Sequence, residues 1–530
     1  MVKKNGYMFR KNTKHNQSEM FGFFEYINDS MKKELLNSQE KSIYELIYCN
    51  IKEEDFSILY SEEKSRPNAP INAMVTALIL MDKHGWTFED LFNQMRFNLL
   101  TKMAFGMKHL DEKLFCSSTL FLFLKQVNEY YTETGVHLFE KVFENFTDEQ
   151  KRALKIKTNI QRTDSLLIGS NIRNYTRLEL MVEVLIRLHR ILTEEDKKKY
   201  EDIFKPYVEK TSANFIYKVR HTEAYEKMQQ LAIVYDSLYG KLIMDYSEQA
   251  AFKIFERVYK EQFIKEEEKI QVLASEKVQS SSLQSPDDLE ATYHNKKNKK
   301  GSKGQTINVV ETANPENPIE LITDISVHAN NIDDSKALNE RIEIIKEKTP
   351  DLEEIHQDGG YGSRENDEKL EESGIVPIQT AIKGIQRELD FKIEELKENE
   401  SYRVSCPKQA VISQATQIRH KAVFDKEICS NCEHIDSCPV RTLNKVEKVR
   451  VYYFKREDFL RNRRNNNIKK IPKERRSLRA NVEATMREFA RGRINGKIKL
   501  RGDFKAALYA LLRGISINFG RVYRYRLQFT

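Results

Sequence analysis

The sequence predicts a multidomain α/β protein, all-helical at its N-terminal end and built on a mixed sheet further along. Three observations carry this. The chain has 530 residues, which at about 150 residues per domain suggests three to four domains. Residues 19–150 place apolar side chains at helical spacing, as in Ile43, Leu46, Ile47 and Leu78, Ile79, Met81, with no strand-like alternation. From Thr306 onward the pattern reads strand, strand, helix, strand, helix, strand, which argues a mixed sheet.

Each element has a local reason. Two prolines, Pro67 and Pro70, make residues 65–70 a loop. A helix then runs from 71 to 84 and stops at Gly85, and Thr87 starts another with Glu89 and Asp90 in its first turn. Helix, glycine turn, helix is similar to a helix-turn-helix, although most such pairs are packing units. Trp86, at the turn, reads as core. A strand begins at Leu154, where Leu154, Ile156, Ile160 and Asp164 share one face and Asp164 ends it. Helices resume from 178 to about 272, and a polar Ser, Lys and Asn-rich linker covers 279–305. The later strands are 307–310, 321–327, 352–357 and 375–378, with helices at 333–347 and 363–372. A cysteine-bearing segment spans 385–454, and helices at 473–493 and 504–521 follow.

Composition excludes several classes. Hydrophobic residues are 40% and charged residues 32%, enough apolar material for real cores. No apolar stretch approaches the roughly 20 residues of a membrane span. The basic N-terminus has no apolar run behind it, so it is no signal peptide. Six cysteines fit a reducing cytoplasm rather than a disulfide scaffold, and Cys49 and Cys116 read as core. No Walker A loop exists, so no nucleotide cofactor is expected. The net charge of +8 is divided unevenly. Residues 441–530 hold 26 Lys and Arg against 7 Asp and Glu, a net +19, which leaves −11 for the rest. A basic tail interleaved with Tyr452, Tyr453, Phe454, Tyr509, Tyr523 and Tyr525 points to a polyanion partner.

Two residue sets could carry chemistry. Asp164 ends one strand, and Asp358 ends another just before Gly359-Gly360-Tyr361-Gly362. Carboxylates meeting at one sheet edge, with a third from a packing helix, suit two hard divalent cations. The second set is Cys406, Cys429, Cys432 and Cys438. Its C-x-x-C spacing suits one tetrahedral structural zinc, with His434 as an alternative ligand. Smaller signals read as structural: Arg501-Gly502-Asp503 as a turn and His328 as a satisfied strand-end residue.

Several blocks resemble those of bacterial insertion-sequence transposases of the DDE class. Gln161-Arg162-Thr163-Asp164-Ser165 resembles the first aspartate block. His356-Gln357-Asp358-Gly359-Gly360-Tyr361-Gly362-Ser363-Arg364-Glu365-Asn366 resembles the second. Residues 285–292 look like the entry to the second strand, and Arg479-Ala480-Asn481-Val482-Glu483 looks like the glutamate block. The resemblance implies a ribonuclease H-like core interrupted by a helical insertion and a zinc-binding insertion. It gives the division 1–150 helical DNA-binding domain, 151–172 first core strand, 173–285 helical insertion and linker, 286–384 core, 385–455 cysteine-rich insertion, and 456–530 basic C-terminal helices.

The implied activity is DNA transposition: cleavage at the terminal inverted repeats and joining of the freed 3′-hydroxyl to target DNA. Asp164, Asp358 and Glu483 would hold two Mg²⁺, with Mn²⁺ as a substitute. Arg461, Arg463, Arg464, Lys469, Lys470, Arg476, Arg479 and Arg487 would meet DNA, and a homodimer or larger assembly would join two ends. Position 476 is arginine where some relatives have tyrosine, and position 490 is alanine where they have lysine. Glu488 and Glu474 are therefore rivals to Glu483. The competing functions are a nuclease of the same fold that does not transfer strands, and a zinc-containing DNA-binding regulator with inert acidic residues.

Overall fold

The computed structural model describes residues 6–17, 22–63, 65–267, 269–295, 301–380, 391–396, 401–443, 449–493 and 495–529. Helices make up the N-terminal region as expected. Helix α1 (Ile71–His84) is buried along its first ten residues, so it is a core helix rather than a surface one. It ends at Gly85 (φ 70°), where only a left-handed residue lets the N–H return to the Met81 carbonyl. Thr87 then caps the helix Phe88–Phe97 through a reciprocal capping box with Asp90. Helix α2 (Leu138–Ala153) turns Leu138, Phe139, Val142, Phe143 and Phe146 inward.

The sheet follows. Strand β1 (Ile160–Gly169) pairs antiparallel with β2 (Ser302–Thr312), which pairs antiparallel with β3 (Ile322–Ala329). On its other side β1 pairs parallel with β4 (Glu354–Gln357), and β4 pairs parallel with β5 (Val376–Gln379). The order is β3-β2-β1-β4-β5, with a short strand Thr292–His294 beside the start of β2. Helices α3 (Asp334–Lys348) and α4 (Arg364–Glu372) cover one face, where Val310, Ile342, Ile345, Ile355, Tyr361 and Leu370 form a core.

The other face is covered by the last two C-terminal helices. Helix α5 (Arg456–Lys470) packs beside β5. A 3-10 segment (Lys473–Asn481) then leads into α6 (Val482–Ala490) against β1. Helix α7 (Asp503–Arg526) packs on α1, α2 and β3 together. At the crossing, a Cβ on Gly514 would collide with Ile325 and crowd Phe143, so glycine permits the close approach. An Asp82–Arg513 ion pair at 3.1 Å ties α1 to α7. One continuous core therefore joins the N-terminal helices, the sheet and α7. The helical insertion has its own core, built on Leu185, Tyr235, Phe252 and Phe255. The cysteine segment has a third, around Phe391, Tyr402, Phe424 and Phe454. Among the described residues no helix is long and apolar enough to cross a membrane.

Some expectations need correction. The strand expected from Leu154 starts at Ile160, because Leu154 caps α2 and Lys155 is left-handed (φ 51°). Asp164 lies inside β1 rather than at its end. The linker expected at 279–305 contains the strand Thr292–His294 and the start of β2. The single helix expected at 473–493 is a 3-10 segment followed by a shorter α-helix. Cys49 and Cys116 are exposed, the first on a 3-10 turn and the second at a helix N-cap. Trp86 does pack on the core as expected, half-buried and stacked on His84.

Candidate active site

Sheet register brings the two aspartates together. In the parallel β1–β4 ladder Arg162 is the partner of His356, and Asp164 and Asp358 each lie two residues further along. Neighbouring strands are about 4.8 Å apart, so this offset sets the two carboxylates side by side. Both meet one atom. Arg479 Nη2, from the 3-10 segment, donates to Asp164 Oδ2 at 3.1 Å and lies 3.6 Å from Asp358 Oδ2. Asp164 Oδ1 accepts the Ser165 N–H at 2.9 Å, and Asp358 Oδ1 accepts the Gly360 N–H. Burial raises the Asp164 pKa from its ordinary value. The Ser165 N–H and Arg479 oppose the rise, and the charge of Asp358 adds to it.

Nothing in the sequence marks a carboxylate near Asp358, yet the structure places one across the Gly360 turn from it. A Cβ on Gly360 would stand 3.0 Å from Asp358 Oδ1 and 3.3 Å from Asp334 Oδ2, so the glycine sits between two carboxylates. Asp334 opens α3 and looks in sequence like any first-turn acid. Tyr361, buried next to it, donates to Asn308 Oδ1 at 3.1 Å.

A buried clamp holds the glutamate block against β1. Glu311 on β2 is fully buried and accepts from Arg162 at 2.7 Å, Thr485 at 2.7 Å and Arg521 at 2.8 Å. Arg162 also donates to the Leu478 carbonyl at 3.1 Å, one residue before Arg479. Glu483 is exposed on the first turn of α6. Glu488 instead faces Arg521 at 3.5 Å and Arg524 at 3.8 Å. Glu474 is exposed on the 3-10 segment.

The four cysteines line one cavity of ≈ 20 Å³, closed by Phe391, Phe424 and Ile435. The Gln409 N–H points at Cys406 Sγ at 3.3 Å and its side-chain amide at Cys429 Sγ at 3.4 Å. Burial raises the Cys429 and Cys438 pKa values, and the neighbouring thiols add to this. His434 does not line this cavity and lies 3.7 Å from Glu433. Among the described residues, no group of three or more His, Cys, Asp or Glu forms a set that could hold a metal ion. The structure thus pairs two aspartates without joining a third carboxylate to them, and gathers four thiols without closing them on one point. In donor chemistry, the oxygen pair around a guanidinium suits hard dications and the thiol set suits zinc.

Residues 398–523 match the family model of the transposase DDE domain. The match supports a transposase of the DDE class. It takes in most of the cysteine segment, α5, the 3-10 segment, α6 and most of α7, while Asp164 and Asp358 lie N-terminal to it. No curated protein and no solved structure matches the chain.

The basic residues of the matched region divide into two groups. Arg463 pairs with Glu371 at 2.5 Å, and Arg464 with the buried Asp367 at 3.0 Å. Burial outweighs Arg464 and pushes the Asp367 carboxyl up to about 6. Arg476 donates to the carbonyls of Lys469 and Ile471, at 2.9 Å and 3.3 Å. Arg461 is half-buried, whereas Lys469, Lys470 and Arg487 are exposed.

Proposed function

We propose that the protein is a cut-and-paste DNA transposase. It cleaves the phosphodiester at the ends of its element and joins the freed 3′-hydroxyl to target DNA. The observation that carries this reading is the Asp164–Asp358 pair on one guanidinium nitrogen, in a chain whose residues 398–523 match the transposase DDE domain. The strand order β3-β2-β1-β4-β5, with β2 antiparallel and β4 and β5 parallel to β1, supports a ribonuclease H-like core.

In this reading Asp164, Asp358 and Glu483 hold two Mg²⁺ ions, with Asp334 beside Asp358. When bound, the ions supply activation of the attacking oxygen and neutralisation of the leaving oxygen. The Arg162–Glu311–Arg521 clamp fixes α6 against β1 and so sets where Glu483 stands. Lys469, Lys470 and Arg487 hold phosphates, which orients the duplex without reading its sequence. The helical region 1–150 reads the terminal inverted repeats, and two copies or more bring two ends together. Cys406, Cys429, Cys432 and Cys438 bind one structural zinc, for which their shared cavity is the support.

The test is cleavage of a duplex carrying the element's own end. Asp164→Asn, Asp358→Asn and Glu483→Gln should each abolish it with end binding retained, while Glu488→Gln and Glu474→Gln cut. Cleavage by either aspartate variant would sink the reading. A pre-cleaved end that is never joined to target DNA would reduce it to a nuclease.

A further inference from the structure

We infer that Arg479 is a built-in counter-cation, which holds Asp164 and Asp358 in register and must leave before a dication can take them. The inference rests on the proposal that these aspartates bind dications, and adds the order of events. One nitrogen, Nη2, touches an oxygen of each carboxylate, at 3.1 Å and 3.6 Å. A cation that bridged the same two oxygens would need that position. Two carboxylates held side by side, one of them largely buried, repel each other unless a positive group stands between them. The guanidinium supplies that charge, through the single nitrogen that faces both carboxylates.

The surroundings keep Arg479 there. Arg162 binds the carbonyl of the preceding residue, Leu478, and is itself fixed by the buried Glu311. The arm of the clamp that steadies α6 therefore also delivers Arg479 to the aspartates. Arg479 Nε is buried without a hydrogen-bond partner, and its side chain is 21% exposed. The guanidinium is thus incompletely satisfied and close to solvent, which makes departure feasible. Glu483 lies four residues further on, so movement of this segment shifts the proposed third ligand as well. Arg479 is a positioning residue here: it sets how readily dications load.

The experiment titrates the full-length, chelator-stripped protein with Mn²⁺ alone, without DNA, by calorimetry and by the spin resonance of free Mn²⁺. Arg479→Gln should tighten Mn²⁺ binding by on the order of tenfold, the effect of removing one unit charge a few ångströms away. Arg479→Lys, which keeps the charge on a shorter and more strongly hydrated head, should fall between, and it decides the matter if the glutamine variant does not fold. Arg475→Gln, whose residue pairs with Glu354 instead, should stay within about twofold of the parent. Adding Asp164→Asn to Arg479→Gln should erase the gain. Mn²⁺ affinity unchanged or weakened in both Arg479 variants, with Asp164→Asn still lowering binding, overturns the counter-cation role and leaves the dication reading standing. Absence of any Asp164-dependent Mn²⁺ binding overturns both.

Discussion

The carboxylate pair and the cysteine set are assembled in opposite ways. Asp164 and Asp358 are 194 positions apart and meet because two parallel strands fix them. The four cysteines fall within 33 residues and meet through turns, a short helix and a strand end. The first arrangement depends on the whole sheet and on charges buried under it. The second depends on local chain and a small apolar core of its own. Damage to one should therefore leave the other largely untouched, and substitutions placed in each region test that independence.

The largest effect is expected at the sheet. Asp164→Asn should lower the rate of metal-dependent end cleavage by several orders of magnitude, with zinc content unchanged, as measured by cleavage kinetics and elemental analysis. Next comes Glu311→Ala, which leaves the buried Arg162 and the half-buried Arg521 without their shared carboxylate. A loss of about 3–5 kcal/mol in denaturant unfolding is expected, since breaking a buried charge network by removing one partner is costly. A loss near that of a surface salt bridge, about 1 kcal/mol or less, would show that the clamp is not needed. The third effect is local. Cys432→Ser should lose zinc and expose the cysteine segment to protease while Mn²⁺ binding at the aspartates survives. Full zinc occupancy in that variant would remove the cysteine set from the comparison.

The smallest effect separates basic residues used outward from those used inward. Lys469→Gln with Lys470→Gln should weaken DNA binding by a few-fold and flatten the log-log salt dependence by about 0.9 for each phosphate no longer neutralised. Arg464→Gln should instead lower stability, because Arg464 serves the buried Asp367. Equal salt slopes in the two cases would mean that α5 does not distinguish its two faces.

Much of the molecule was legible in the sequence for reasons that show where legibility stops. The alternation of helices and strands after Thr306 reports local periodicity, and those elements lie within a few residues of their expected places. Asp358 at the end of β4 was legible because a glycine run marks the turn after it. The place of Asp164 inside β1 was not legible, because pairing with β2 carries the strand on to Gly169 after its ladder with β4 ends at Arg162. The Arg162–Glu311–Arg521 clamp was invisible: it depends on a register that joins residues 149 and 210 positions apart. Asp334 was invisible for the same reason, since only the Gly360 turn carries it to Asp358. The pattern of 473–493 suits one amphipathic helix, and the change from 3-10 to α-helix inside it reflects packing against β1 rather than propensity.

Helix α7 closes the largest core, and it comes more than 300 residues after β1. A ribosome adding about 5–20 residues per second spends tens of seconds between these two segments. During that interval the helical insertion, with a core drawn from residues 175–283, can already be folded. The N-terminal helices, whose apolar faces await α7, cannot yet be covered. Emergence of the segment around Gly514 is thus the event that converts a string of partly exposed pieces into one body, and the nascent chain is most vulnerable to aggregation and to proteolysis just before it.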